Sequence, residues 1–263
     1  MTDQQDSQTQ FPNAGRVYDY TLGGNHNYEA DRQAAEYMFS LVPSTKKWVR
    51  ILRQFIREGA YQLEQQGFNK FLDLGSGLPT ADHIHSLVPN SKVVYVDMDP
   101  VTVTYGMELL DGNPNARYVQ EDARNVEAIL SSPTIAEMFG DDRKIAFVLN
   151  AVTSFFTMEE NKKLMQELYD WAAPGSKICV TFESKNPEMT TPKMDQFLGM
   201  FDQMGAHFEF ITLEQAKEIM GSWVVDERGY QPIAKWLGVE DMFTEEDHEG
   251  VELEFYAAIL EKK

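Results

Sequence analysis

Two glycines and two carboxylates have the types and the spacing of a nucleotide-binding site. A short apolar run carries Asp73 and enters a turn that contains Gly75 and Gly77, and a second apolar run, residues 92–96, ends at Asp97. Glycine lets a backbone approach a ligand closely, and a carboxylate after the second strand can accept hydrogen bonds from ribose hydroxyls. The spacing therefore predicts a nucleotide-binding βαβ unit. The competing interpretation is an ordinary turn with structural glycines.

The residues around this turn distinguish between nucleotide ligands. A dinucleotide fingerprint would place a third glycine at position 80, where this chain has Thr80. Pro79 also removes an N–H group from the place where a helix would bind a pyrophosphate. Asp73 suits a cationic amino group better than a phosphate. The pattern from Asp73 to Asp97 resembles motif I and the second-strand acidic residue of class I S-adenosylmethionine methyltransferases.

Composition narrows the partners and the compartment. The 263-residue chain carries a net charge of −19, so few Lys and Arg side chains are available to neutralise nucleic-acid phosphates. No apolar stretch approaches the roughly 18 residues of a membrane span, and the lone Cys179 excludes a disulfide framework. We expect a cytoplasmic protein with a small-molecule substrate and no nucleic-acid or membrane partner. The acidity is equally compatible with a role in solubility alone, and the oligomeric state does not follow from the sequence.

Hydrophobic periodicity predicts strands that alternate with helices, which is typical of a parallel sheet. The predicted strands cover residues 70–74, 92–96, 116–119, 144–149, 177–182, 222–236 and 251–260. The predicted helices cover residues 29–40, 44–66, 80–88, 100–110, 125–138, 159–171 and 213–221. Residues 13–28 mix aromatic residues, adjacent glycines and polar residues without clean periodicity, which favours a functional loop over a regular element.

The opening of the chain has an unusual motif, because residues 14–24 read AGRVYDYTLGG. This motif resembles that of a bacterial family of S-adenosylmethionine-dependent methyltransferases long catalogued as a domain of unknown function. The other segments that resemble the family are residues 27–32, 71–80 with His85, 94–100 and 174–176. The resemblance implies an α/β, Rossmann-like class I methyltransferase sheet, mostly parallel with an antiparallel last strand, under an N-terminal helical cover. It also implies S-adenosylmethionine as cofactor and S-adenosylhomocysteine as product, but no defined acceptor.

The resemblance and the composition together divide the chain into three parts. Residues 1–12 are predicted to be a disordered tail, residues 13–68 a cover of loop and helices, and residues 69–263 the cofactor-binding domain. One position departs from the family pattern, which has a histidine where this chain has Ser154. If that histidine contacts substrate or acts as a base, its role is changed or lost here.

The glycine turn and the second strand supply the first set of predicted cofactor residues. The backbone at Gly75 and Gly77 is expected to run beside the methionine part of the cofactor, with Ser76 contributing its N–H or hydroxyl. Asp73 should face the cofactor's amino group, unless it only caps the turn. Asp97 should accept hydrogen bonds from both ribose hydroxyls.

Residues that follow the second and third strands are predicted to bind the adenine. Met98 can pack on the adenine face, and Asp99 competes with Asp97 for the ribose because strand ends are uncertain by a residue or more. Asp122 resembles the family residue that accepts from the adenine amine, with the Ala123 N–H on a ring nitrogen. The alternative for Asp122 is a helix N-cap.

Two residues of the opening motif are further candidates. The Arg16 guanidinium can bind the cofactor's carboxylate in a bidentate way, and Tyr18 lies two residues on. The alternative for Arg16 is a structural ion pair with Asp19 or Asp31.

The acceptor is expected beside the fourth strand, where Asn150 and Ala151 reach the carboxyl edge of the sheet near the sulfonium. We expect residues 13–43 to form a lid, with further walls from residues 150–156 and 183–200.

The sequence predicts O- or N-methylation of a small molecule without identifying a catalytic residue. Methyl transfer is an in-line displacement that needs a base only if the nucleophile must lose a proton. His26 and His85 could reach the cleft, although a structural or surface role suits either one, and no spacing indicates a metal site. The other hypotheses are a non-catalytic S-adenosylmethionine-binding protein and a nicotinamide-dependent oxidoreductase.

Overall fold

A single mixed sheet organises the chain in the computed structural model, which describes residues 10–79, 83–185, 191–248 and 253–263. The strands in spatial order are β3, β2, β1, β4, β5, β8 and β6, and β7 also pairs with β8. Their bounds are β1 Lys70–Leu74, β2 Lys92–Asp97, β3 Ala116–Gln120, β4 Ala146–Leu149, β5 Lys177–Lys185, β6 Val224–Val225, β7 Gln231–Pro232 and β8 Leu253–Glu261. Strands β1 to β5 are parallel and β8 is antiparallel to β5, which confirms the predicted fold class.

Helices cover both faces of this sheet and its carboxyl edge. Their bounds are α1 Ala14–Thr21, α2 Glu29–Leu41, α3 Thr45–Gln65, α4 Ile84–Leu87, α5 Pro100–Leu109, α6 Val126–Leu130, α7 Pro133–Phe139, α8 Met158–Trp171, α9 Pro192–Gln203, α10 Leu213–Met220 and α11 Ile233–Leu237. The single helix predicted over residues 125–138 is two helices, because Pro133 cannot continue α6 and instead starts α7 behind the N-cap Ser132. Part of the helix predicted at 80–88 lies outside the described residues.

The predicted loop at residues 13–28 was wrong for its first half, which forms α1. The side chain of Asn13 accepts hydrogen bonds from the backbone N–H groups of Gly15 and Arg16 and so caps this helix. Val17 and Thr21, four residues apart, are buried on one face. The interspersed tyrosines and glycines hide this short periodicity in the sequence.

The strand predicted over residues 222–236 was also wrong, because only two short strands and a helix form there. Gly229 has a φ of +69° in the turn between β6 and β7. Pro232 has no N–H for a longer ladder and serves as the N-cap of α11.

Alternation along β1 places different residues on the two faces of the sheet. Leu72 and Leu74 join one buried apolar cluster, whereas Phe71 joins a second cluster that includes the apolar side of α3. Asp73 has the parity of Phe71 and is 2% exposed, so a carboxylate is buried on the α3 side of the sheet. A third cluster joins α1 and α2 to α9.

Candidate functional site

The glycine turn after β1 is fixed to β2 and open on one side. The backbone N–H groups of Gly75 and Ser76 both donate to the Val96 carbonyl, at 2.9 and 3.0 Å. Gly75 and Gly77 have φ values of +69° and +60°, a region that favours glycine. A Cβ on Gly75 would lie 2.5 Å from Val152 Cγ2, whereas a Cβ on Gly77 would meet nothing within 4 Å. The backbone at Gly77 is therefore accessible to a ligand.

Asp97 is held against this turn by backbone donors. Its Oδ2 accepts from the Gly77 N–H and its Oδ1 from the Asp99 N–H, each at 3.0 Å. Burial raises the pKa of Asp97, and the two backbone donors oppose that shift. Because each carboxylate oxygen keeps a further lone pair, Asp97 can still accept from two hydroxyls.

Asp99 already accepts hydrogen bonds from Thr102, which favours Asp97 as the residue that accepts from the ribose hydroxyls. Its Oδ2 accepts from the Thr102 N–H at 2.9 Å and from the Thr102 hydroxyl at 2.8 Å, so it caps α5. Met98 lies between the two aspartates and is 60% exposed, as expected of a side chain available to cover a planar ligand.

Tyr118 of β3 contacts the glycine turn and was not among the site residues predicted from the sequence. Its hydroxyl lies 3.0 Å from the Ser76 hydroxyl and donates to the Gly77 carbonyl at 2.7 Å. This contact fixes the turn from the β3 side. The apolar alternation of β3 could have indicated that Tyr118 faces inward.

The loop after β3 holds Asp122 in a side-chain ion pair. Arg124 donates to both oxygens of Asp122 and also to Glu160, so the pKa of the Asp122 carboxyl is lowered. Helix α6 has Asn125 as its N-cap, so Asp122 is not the helix cap of the alternative interpretation. Ala123 beside it is 7% exposed.

The loop after β4 is strained and packs against the glycine turn. Ala151 has a φ of +53° and is the one residue other than glycine with positive φ in the described part of the chain. Thr181 holds this loop, because its hydroxyl accepts from the Ala151 N–H at 2.8 Å and donates to Asn150 Oδ1 at 3.2 Å. Strained backbone of this kind is typical of ligand sites, and here Asn150 comes to the same edge as Gly75.

Arg16 forms the structural ion pair that the sequence left as an alternative. Its Nε donates to Asp31 at 2.9 Å, its Nη1 lies 3.4 Å from Asp99, and its Nη2 donates to the Phe11 carbonyl at 2.9 Å. These contacts fasten α1 to the N-terminus of α5, beside Asp97. Binding of a cofactor carboxylate by Arg16 stays a prediction.

Tyr18 links α1 to α3. Its hydroxyl donates to the Val49 carbonyl at 3.4 Å, and the Arg53 guanidinium lies 5.7 Å from the centre of its ring. Tyr18 therefore lies at the boundary between the cover and the buried polar groups beneath the turn.

Those buried groups come from three elements. Arg53 of α3 is 5% exposed, Asp73 of β1 is 2% exposed and His83 is fully buried. His83 Nε2 lies 3.5 Å from Asp73 Oδ2, which is long for a hydrogen bond. Burial raises the pKa of Asp73 to about 7 and lowers the pKa of His83.

Comparison with known families identifies the protein's class. A model of the S-adenosyl methyltransferase family matches residues 1–263. The chain belongs to this family. The glycine turn and the buried carboxylates therefore lie in an S-adenosylmethionine-dependent methyltransferase, as the resemblance in the sequence implied.

Solved structures agree with this assignment. A proposed methyltransferase from Thermobifida fusca YX shares 29% identity, with a TM-score of 0.84 over 97% of this chain and 96% of that one. A DUF574 family protein from Streptomyces avermitilis MA-4680 shares 25% identity, with a TM-score of 0.85 over 97% and 99%. Geranyl diphosphate C-methyltransferase from Streptomyces coelicolor A3(2), at 12% identity and a TM-score of 0.56 over 93% and 84%, shares the fold. The comparison with curated proteins finds no match.

Two buried ionisable residues, Arg53 and Glu183, were not predicted from the sequence to have a role in the site. Arg53 lies on the apolar face of α3, and a charged residue at such a position indicates a buried polar site. Glu183 lies near the end of β5 beside Ser154, and burial raises the pKa of its carboxyl to about 8.

Within the described ranges, no helix is long and apolar enough to cross a membrane.

Proposed function

We propose that this methyltransferase transfers the methyl group of S-adenosylmethionine to an oxygen or nitrogen atom of a small molecule. The observation that carries the acceptor class is the attachment of α1 to the sheet edge by Arg16, which contacts Asp99 from a position 83 residues earlier in the chain. A helix fixed over the carboxyl edge favours an enclosed small acceptor over a nucleic-acid strand. The net charge of −19 supports the same choice.

Two features of the site fit the cofactor: an open stretch of backbone and a group of buried polar atoms. The open backbone at Gly77 allows close approach, and Arg53, Asp73 and His83 carry buried polar atoms without hydrogen-bond partners among the described residues. When bound, the cofactor supplies an electrophilic methyl group on a sulfonium. Asp97 would accept from the ribose hydroxyls, with Ser76 beside it on the turn.

The adenine and the reacting centre would lie on either side of this turn. Met98, Asp122 and Ala123 would contact the adenine from the loops after β2 and β3. Asn150 and Ala151 would line the site near the sulfonium, on the loop that Thr181 holds.

The acceptor would be enclosed by the cover and by the ends of β4 and β5. Residues 13–43 would form the lid and residues 150–156 one wall. A second wall would come from residues 183–200, of which 186–190 lie outside the described residues. Glu183 in its ionised form would take up the proton that an O–H or N–H acceptor loses, because burial raises the pKa of its carboxyl to about 8 and so makes the carboxylate a stronger base.

Radiolabelled methyl transfer tests this proposal. The protein is incubated with labelled S-adenosylmethionine and, in parallel, a small-metabolite extract, total RNA and total DNA. We expect label in the metabolite fraction only. Label in nucleic acid with unlabelled metabolites would overturn the acceptor class and leave the methyltransferase assignment standing.

A further inference from the structure

An acidic side chain lies among apolar residues near the end of β5. Glu183 is on the same face of the strand as Thr181, and it lies opposite Phe255 of β8 in the antiparallel register. Phe255 and Leu253, which follows it on that face, are both buried. The Oε2 atom of Glu183 is buried and accepts no hydrogen bond from any described residue. A carboxylate in such a place is costly unless a donor or a cation reaches it.

Among the described residues, no cationic side chain pairs with Glu183. Its surroundings act on its pKa only through burial, which raises it, and through the neighbouring Ser154 hydroxyl, which lowers it. Ser154 Oγ is itself buried and has no hydrogen-bond partner in the described part of the chain. His207 of the adjoining segment pairs with Glu209 instead, at 3.5 Å. A bound ligand can supply the counter-charge that Glu183 lacks.

The backbone places Glu183 beside the loop after β4. Thr181 holds that loop through the Ala151 N–H and the side chain of Asn150. Two residues along a strand span about 7 Å, so the Glu183 side chain is within reach of an acceptor atom that lies beside the loop.

A second connection fixes Ser154 and Glu183 side by side. The Glu209 N–H donates to the Ser154 carbonyl and the Ile211 N–H donates to the Glu183 carbonyl, both at 2.8 Å. The segment that contains Glu209 and Ile211 therefore bridges the loop after β4 and the end of β5. The two unpartnered side-chain oxygens belong to one corner of the acceptor site.

The charge at this corner distinguishes between acceptor classes. A hydroxyl group would donate one hydrogen bond to the Glu183 carboxylate and leave the negative charge without a partner. An ammonium group supplies a donor and the opposite charge together, and charge-assisted hydrogen bonds are roughly twice as strong as neutral ones. The net charge of −19 also attracts cations to the protein.

We propose that the acceptor is a primary or secondary amine, which binds as an ammonium ion to the Glu183 carboxylate beside the Ser154 hydroxyl. This inference rests on the proposed function, because it names the acceptor of the same site. The ammonium gives one proton to Glu183, and the freed lone pair of the nitrogen forms the new bond to the methyl carbon. The electron pair of the broken C–S bond stays on the sulfur. The product leaves as a methylated ammonium ion, and Glu183 releases its proton to solvent.

Selective blocking of amines tests the acceptor class. One half of a small-metabolite extract is treated with acetic anhydride and then with alkaline hydroxylamine, which leaves amines acetylated and frees the hydroxyl groups. Both halves are incubated with the wild-type protein and labelled S-adenosylmethionine. We expect labelled product in the untreated half only. Mass spectrometry of that product should place the methyl group on nitrogen.

A substitution tests the role of Glu183 separately. Glu183→Gln keeps the shape and removes the charge, and it should slow formation of the labelled amine by about 100-fold or more, the contribution of a general base. The matched control is Glu159→Gln on α8, whose side chain is 85% exposed and which should leave the rate unchanged. Calorimetry should show that both variants bind S-adenosylhomocysteine as the wild type does.

Equal label in the two halves, or a methyl ether as the product, would overturn the amine acceptor while the proposed function stands. Absence of label from the small molecules of both halves would overturn the proposed function as well. A Glu183→Gln variant as fast as wild type would refute the role of Glu183. If that variant does not fold, the blocking experiment remains decisive, because it uses the wild-type protein alone.

Discussion

Replacing Asp73 with asparagine should stabilise the ligand-free protein at alkaline pH. Burial raises the pKa of Asp73 from 3.8 to about 7. At about 1.4 kcal/mol per pKa unit, keeping this carboxylate ionised costs the folded state on the order of 4 kcal/mol. An asparagine side chain has nearly the same shape as aspartate without the charge, so Asp73→Asn should recover at most that amount.

The pH window follows from the two pKa values. Below about pH 4 the carboxyl is protonated in both the folded and unfolded states and contributes nothing to the pH dependence. Between about pH 4 and pH 7 the unfolded chain releases the proton and the folded protein keeps it, so stability falls as the pH rises. Above about pH 7 the loss is complete, and the advantage of the variant is largest.

Urea unfolding monitored by circular dichroism measures this difference. The free energy of unfolding of Asp73→Asn minus that of the wild type should be near zero at pH 4 and rise toward about 4 kcal/mol at pH 8. Asp111→Asn, at an exposed position, is the control and should show no such rise. A difference that is constant with pH, or a variant less stable than wild type at pH 8, would refute the burial argument.

Three further predictions concern the cleft. Asp97→Ala should weaken S-adenosylhomocysteine binding by about 1–3 kcal/mol in calorimetry, whereas Asp99→Ala should mainly lower thermal stability by removing the cap of α5. Wild-type methyl transfer should rise with pH through about 8 as Glu183 ionises, and Glu183→Gln should abolish that rise in a labelled-methyl assay. Gly75→Ala should cost more unfolding free energy than Gly77→Ala in urea titrations, because only its Cβ would meet a valine side chain at 2.5 Å.

The central strands β2 and β4 were predictable because each contains a continuous apolar run, and β3 was predictable from its apolar alternation. Strand β1 matches its predicted range, and β2 and β3 each extend one residue further. The positions of Asp73, Gly75 and Asp97 at the ends of β1 and β2 could be predicted from this local pattern alone. A parallel strand that is buried on both faces has a nearly continuous apolar sequence, so its bounds can be predicted from the sequence.

The buried charges were predictable only in part: the Arg16–Asp31 ion pair was one of the alternatives from the sequence, but the contact of Arg16 with Asp99 joins residues 83 positions apart. Several carboxylates are close to Arg16 in the sequence, but one of the carboxylates that it contacts belongs to the distant Asp99. Arg53 occupies a core position of α3, yet a long side chain can keep its charge in water from such a position. Only the packing of α3 against the sheet shows that Arg53 is enclosed.

The Arg16–Asp99 contact has a consequence for synthesis on the ribosome. Helix α1 is made first, but one carboxylate that neutralises its buried arginine is 83 residues further along the chain. A nascent chain therefore cannot complete the packing of its own N-terminus until β1, β2 and the start of α5 have emerged. Helix α1 should therefore become fully protected from amide hydrogen exchange only after the start of α5 has emerged, although it is translated before the glycine turn.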